Sequence, residues 1–103
     1  MPDPIIVIAR VKARAEARET LITAAKTCIA ETRKEAGCVS YDMHESVTDP
    51  GRFVFVEQWA DRTALDAHMV TPHLAALLAA AGPCLAEAPV IEAIADGTRW
   101  RLM

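Results

Sequence analysis

Cysteine is scarce in this chain of 103 residues: Cys28, Cys38 and Cys84 are odd in number, and no two share a Cys-x-x-Cys spacing. That argues against a disulfide framework or a cysteine zinc site, and predicts reduced thiols in a cytoplasmic protein. Basic residues are also in deficit, with 11 Lys and Arg against 14 Asp and Glu and a net charge of −3. Nucleic acid and anionic membrane surfaces are therefore poor partners. No apolar run approaches the length of a membrane span, and the opening "MPDPIIVIARVK" lacks a signal-peptide layout. Gly-x-Gly-x-x-Gly, a phosphate-binding loop and a nucleophile elbow are all missing. What remains is a globular composition, 52% hydrophobic and 24% charged. The length fits one domain, 1–103, with 97–103 as a tail without clear period.

Periodicity supplies the elements. "PIIVIARV" is a β-branched apolar run and predicts a strand over about 4–12. From about 15 to 36, Leu21, Ile22, Ala25, Cys28, Ile29 and Thr32 recur as one helical stripe. No good N-cap stands at its start, and Gly37 is placed to end it as a C′ glycine. "CVSYDMHE", the turn "TDPG" and "RFVFVEQWA" predict a hairpin. Asp61 is a fitting N-cap for a helix through Met69. Thr71-Pro72 restarts a helix carrying Leu74, Leu77 and Leu78, which stops at Gly82-Pro83. "PVIEAIA" is the last strand.

The order is β-α-β-β-α-β, the ferredoxin-like plan: an α+β fold with a four-stranded antiparallel sheet and two helical segments on one face. The helix-free face should then be polar, yet "IIVIA" and "FVFV" are apolar at every position. Both faces need cover. A second copy of the same face supplies it around a two-fold axis, so a homodimer is the expected state.

The hairpin then decides which residues share a face. With an even loop, such as Thr48 to Gly51, Ser40 faces Trp59, Asp42 faces Glu57 and His44 faces Phe55. That side mixes aromatic rings with ionisable groups and predicts a small cavity under the helices lined by Phe55, Trp59 and His68. Val39, Tyr41, Met43, Val54 and Val56 would fall on the opposite, interface side. An odd loop would flip one strand and undo this.

The ordered set Glu35, Gly37, Cys38, Tyr41, Asp49, Pro50, Glu57, Trp59, His68, Pro72 and His73 resembles the central motif of the antibiotic biosynthesis monooxygenase domain. The resemblance covers essentially the whole chain. It implies a dimeric α+β barrel, and oxygenation of small phenols, quinols or polyketide-like aromatics by O₂ without metal or flavin. Other members of the superfamily bind or degrade haem, isomerise small signals or have no known activity. Haem-degrading relatives use an Asn on the first strand, and this chain has no Asn at all. Some aromatic-oxygenating relatives place an amide where Phe55 stands here.

Oxygenation without a cofactor needs an electron-rich anion that reduces O₂ itself, so the protein must bind a phenol and help remove its proton. Trp59 can stack on a ring and donate one hydrogen bond, and His68 can act as base. These two are the catalytic candidates. Phe55, Trp59, His44 and Glu57 are the substrate-binding candidates, with Glu57 or His44 able to orient or replace the base. Each has a packing alternative. Trp59 can be a core indole, His68 a hydrogen-bonded seam histidine, and Glu57 an ion-pair partner of Arg10. His73 is expected in solvent, Tyr41 at the interface, and Cys38 and Cys84 as small apolar fillers. His68 and His73 stand five apart across the helix break, so they are no i, i+4 metal pair, and no metal or cofactor is expected. The other reading of the chain is a non-catalytic dimeric barrel that binds a small hydrophobic ligand or serves a stress response.

Overall fold

The computed structural model describes residues 4–103. Residues 1–3, included in the domain by sequence, lie outside the described residues. Eight regular elements follow one another: β1 (Ile5–Lys12), α1 (Arg18–Thr32), β2 (Cys38–Glu45), β3 (Arg52–Trp59), α2 (Arg62–Met69), α3 (Pro72–Ala81), β4 (Val90–Ala95) and β5 (Thr98–Arg101). The fold is α+β, with an antiparallel sheet in the order β2-β3-β1-β4-β5.

The fifth strand corrects the four-stranded expectation. Asp96 and Gly97 both have positive φ, 51° and 71°. An Asp-Gly pair in that conformation is the two-residue turn whose twist suits a tight hairpin. It folds the tail back, so that Trp100 pairs with Ala93 and Arg101 with Glu92.

Helix boundaries follow local chemistry. Asp61 caps α2 by accepting the Ala64 N–H at 2.8 Å, and Thr71 caps α3 by accepting that of Leu74 at 3.3 Å, with Pro72 in the first turn. No side chain caps α1, which is entered through a 3₁₀ turn at Ala15–Ala17. Gly37 is not the C′ residue of α1, because the helix ends at Thr32 and two further turns of chain intervene. Its φ of +84° and its packing both call for glycine: a Cβ there would meet the Ala64 Cβ at 2.5 Å.

The helices cover one face of the sheet. On it lie Ile5, Val7, Ala9 and Val11 from β1, and Phe53, Phe55, Glu57 and Trp59 from β3, all buried. Leu21, Ala25 and Cys28 of α1 and Leu74 and Leu77 of α3 close over them. Each fully buried Val or Leu contributes roughly 1.5–3 kcal/mol, so this layer carries most of the stability. The opposite face keeps Ile6, Ile8, Val54 and Ile94 half-buried and Val56 exposed.

The hairpin register departs from the even-loop expectation. Glu45 pairs with Phe53, Met43 with Phe55, Tyr41 with Glu57 and Ser40 with Gln58. Seven residues separate the innermost pair, an odd number, closed by Ser46 N–H to Arg52 O and by Gly51 at φ +86°. With a side-chain period of two, this one-residue difference turns β2 over. Tyr41 and Met43 face the helices, whereas Ser40, Asp42 and His44 face away. A bulge between Cys38 and Ser40 leaves Val39 exposed. No single helix among the described residues is long and apolar enough to cross a membrane.

Candidate functional site

A cavity of about 270 Å³ lies between the sheet and α3. Its walls are hydrocarbon from β1, α1, α3 and β4, together with Phe55 and, from the C-terminal end, Met103. Two polar side chains break that lining, Glu57 and Tyr41, which are cross-strand partners on β3 and β2. A smaller cavity of about 30 Å³ adjoins the same carboxylate and is bordered by His68, Met69 and Leu102. Glu57 is thus the polar group common to both.

The strand's alternation explains why a carboxylate sits there. Phe55, Glu57 and Trp59 are successive inward positions of β3. Glu57 is only 6% exposed, and its partner is local: Trp59 Nε1–H donates to Glu57 Oε1 at 3.0 Å. Burial pushes the carboxyl up to about 7, the Glu35 charge adds to the rise, and the Trp59 hydrogen bond opposes it. A carboxylate poised near neutrality at the wall of an apolar cavity can hold or release a proton at working pH. Burial, followed by the nearby Glu57 charge, pushes the Tyr41 phenol up, so Tyr41 stays a neutral donor.

The expected ion pair between Glu57 and Arg10 does not form. Arg10 lies on the opposite face and donates to Glu92 at 2.9 Å. The register that moves Tyr41 inward also removes His44, which is exposed on the helix-free face and takes no part in the site.

Trp59 and His68 do come together. Their ring centroids are 4.5 Å apart at 33°, and Tyr41 stands edge-on to both. Both are buried from solvent, however, and Trp59 lines neither cavity. The indole therefore stacks on His68 and holds Glu57, and is not itself an open platform for a substrate ring.

His68 is oriented by a residue to which the sequence reading assigned no role. Its Nδ1 lies 2.8 Å from Glu35 Oε2, and His73 Nε2 lies 2.7 Å from the same oxygen. A carboxylate only accepts, so both imidazoles donate, and His68 carries its proton on Nδ1. Its Nε2 has no hydrogen-bond partner among the described residues and is left as the basic nitrogen. Burial holds His68 below the ordinary imidazole value against the raising influence of Glu35, so the ring is neutral near pH 7. His73, expected in solvent, is half-buried by its bond to Glu35. The Thr71 hydroxyl fixes the approach of the two histidines by donating to His68 O at 2.8 Å while capping α3. The sequence signal for this cluster was the restart at Thr71-Pro72, which marks where the chain bends between α2 and α3.

Residues 4–80 match the family described as "Antibiotic biosynthesis monooxygenase". The chain is 38% identical over 95 residues to "Putative monooxygenase Rv0793" of Mycobacterium tuberculosis, spanning 92% of this chain and 93% of that one. It is 39% identical over 71 residues to "Uncharacterized protein sll1783" of Synechocystis; the match takes in 69% of this chain but only 48% of that relative's length. The solved structure of Rv0793 superposes with a TM-score of 0.84 at 37% identity, covering 89% and 93% of the two chains.

Proposed function

The chain belongs to the antibiotic biosynthesis monooxygenase family, and from that premise we propose that it oxygenates a small, largely apolar phenol with O₂ inside the 270 Å³ cavity. The observation that carries this reading is Glu57, a buried carboxylate with a pKa of about 7 facing that otherwise hydrocarbon space. Such a wall fits a planar ring with one acidic hydroxyl and rejects sugars or polyols, whose extra hydroxyls would be left unpaired.

The chemistry needs only groups that the chain and substrate supply. Ionised Glu57 accepts the phenol proton. The phenolate passes one electron to O₂, and the resulting pair combines at the ring carbon para to the oxygen. Loss of water from the peroxide leaves the para-quinone. One phenol and one O₂ thus give one quinone and one water, and all electrons for the second oxygen atom come from the substrate. The Trp59 N–H holds Glu57 in place for the transfer. His68, bordering the smaller cavity beside Glu57 with Nε2 free, is placed to receive a proton from that side. Phe55 supplies an apolar wall.

The chain acts as a homodimer in this reading. The half-buried Ile6, Ile8, Val54 and Ile94, with exposed Val56, form an apolar patch on the helix-free face, and a second copy would cover it. The test of function is an oxygen electrode run over a panel of naphthols, quinols and anthrones, with chelator present and flavin absent. Uptake with at least one ring bearing a free para position is expected. Silence across the panel would contradict oxygenation and favour a ligand-binding barrel.

A further inference from the structure

Glu35, His68 and His73 do more than orientation of one histidine requires. Glu35 comes from the turn after α1, His68 from the last turn of α2 and His73 from the first turn of α3. Their ligand atoms all lie within 4.8 Å of one another, with the two imidazole nitrogens 2.7 and 2.8 Å from a single carboxylate oxygen. A spacing of five residues forbids an i, i+4 pair on one helix, but the 58° bend between α2 and α3 brings the two rings together regardless. One imidazole on Glu35 would fix the His68 tautomer. The second adds nothing to that task.

We propose that these three side chains form a binding site for a divalent transition-metal ion, Zn²⁺ foremost. Two imidazoles and one carboxylate are a donor set suited to Zn²⁺, Co²⁺ or Ni²⁺. Metal–ligand bonds of about 2.0–2.1 Å hold neighbouring ligands roughly 3.0–3.4 Å apart, so each imidazole has to draw back from the Glu35 oxygen by a few tenths of an ångström. The ion takes the place of the two imidazole protons now shared with Glu35, each ring keeping its proton on the other nitrogen, and binding weakens only where acid converts an imidazole to imidazolium. Entry is from solvent, because Glu35 and His73 keep 14% and 18% of their side-chain surface and line neither cavity. The site is thus separate from the phenol cavity, and His68 links it to the smaller cavity beside Glu57. An ion on Nδ1 leaves the His68 proton on Nε2, so that a loaded protein loses that nitrogen as a base. Only this last consequence rests on the oxygenase reading.

The test uses metal alone and needs no substrate. Chelator-stripped protein is titrated calorimetrically with Zn²⁺ near neutral pH, and Co²⁺ absorption reports the ligand field. One ion per chain is expected, with Kd of about 1 μM or tighter. His73→Ala should weaken binding by about 100-fold or more while leaving Cys28, Cys38 and Cys84 in place. No saturable binding, or equal affinity in His73→Ala, overturns the site. Should His73→Ala fail to fold, imidazole nitrogen NMR of the wild-type protein decides. Zn²⁺ must shift His68 Nδ1 and His73 Nε2, and unshifted resonances overturn the proposal.

Discussion

Replacing Glu57 by Gln keeps an oxygen for the Trp59 N–H and removes the ionisation, so it isolates the feature on which the site depends. The carboxyl titrates near 4.5 in its ordinary state and near 7 in the fold, with burial as the main cause. The folded value lies above the unfolded one. The folded protein therefore keeps a proton that the unfolded chain has given up. The stability this adds is fully present below about pH 4.5 and drains away as pH rises to about 7. At about 1.4 kcal/mol per pH unit, the gap between those two values is worth about 3 kcal/mol. His68 acts with the opposite sign: its pKa is lowered, so its contribution is present above the ordinary imidazole value and lost as pH falls through the folded one. That part is common to both proteins and cancels in their difference. Urea unfolding followed by far-ultraviolet circular dichroism, at one protein concentration and at several pH values between 4 and 8, gives the difference directly. Wild type should lose about 3 kcal/mol relative to Glu57→Gln across the window from 4.5 to 7. A difference flat to within about 0.5 kcal/mol would refute the claim that burial raises this carboxyl.

Gly37→Ala should destabilise the fold by about 2–4 kcal/mol, combining a left-handed backbone with the collision against Ala64. Ala64→Gly in the same chain should recover the steric part, visible as a partial return of the urea midpoint. Light scattering at micromolar concentration should give twice the 11.2 kDa chain mass, and Val56→Lys, a charge on the helix-free face, should shift it towards the monomer; wild type running as a clean monomer would sink the barrel assembly.

Much of the architecture is legible because it rests on local rules. The alternation of "FVFVEQW" and the caps at Asp61 and Thr71 place β3, α2 and α3 without reference to anything distant. The same alternation brings Phe55, Glu57 and Trp59 to one face, and the stripe of α2 brings His68 to meet them. What fails is what depends on a single residue of loop length. The hairpin closes around an odd number of residues, and β2 turns over, so His44 leaves the site and Tyr41 enters it. Glu35 and His73 were hidden for a different reason. They meet only through the turn after α1 and the bend between α2 and α3, long-range geometry that no period in the sequence encodes. The fifth strand was readable in principle from Asp96-Gly97, a hairpin pair that follows directly on the run "VIEAIA".

The central claim is that Glu57, at the wall of an apolar cavity, is the base that starts oxygenation. Its most direct test is the pH dependence of oxygen uptake, measured as kcat/KM in wild type and Glu57→Gln with a phenol whose own ionisation lies well above the range. In wild type the logarithm should rise with unit slope below about pH 7 and level off above it, following the Glu57 carboxyl. Glu57→Gln should lose that limb and fall by roughly 10²–10⁴-fold. A Glu57→Gln protein that keeps wild-type uptake and the same pH limb would contradict the account.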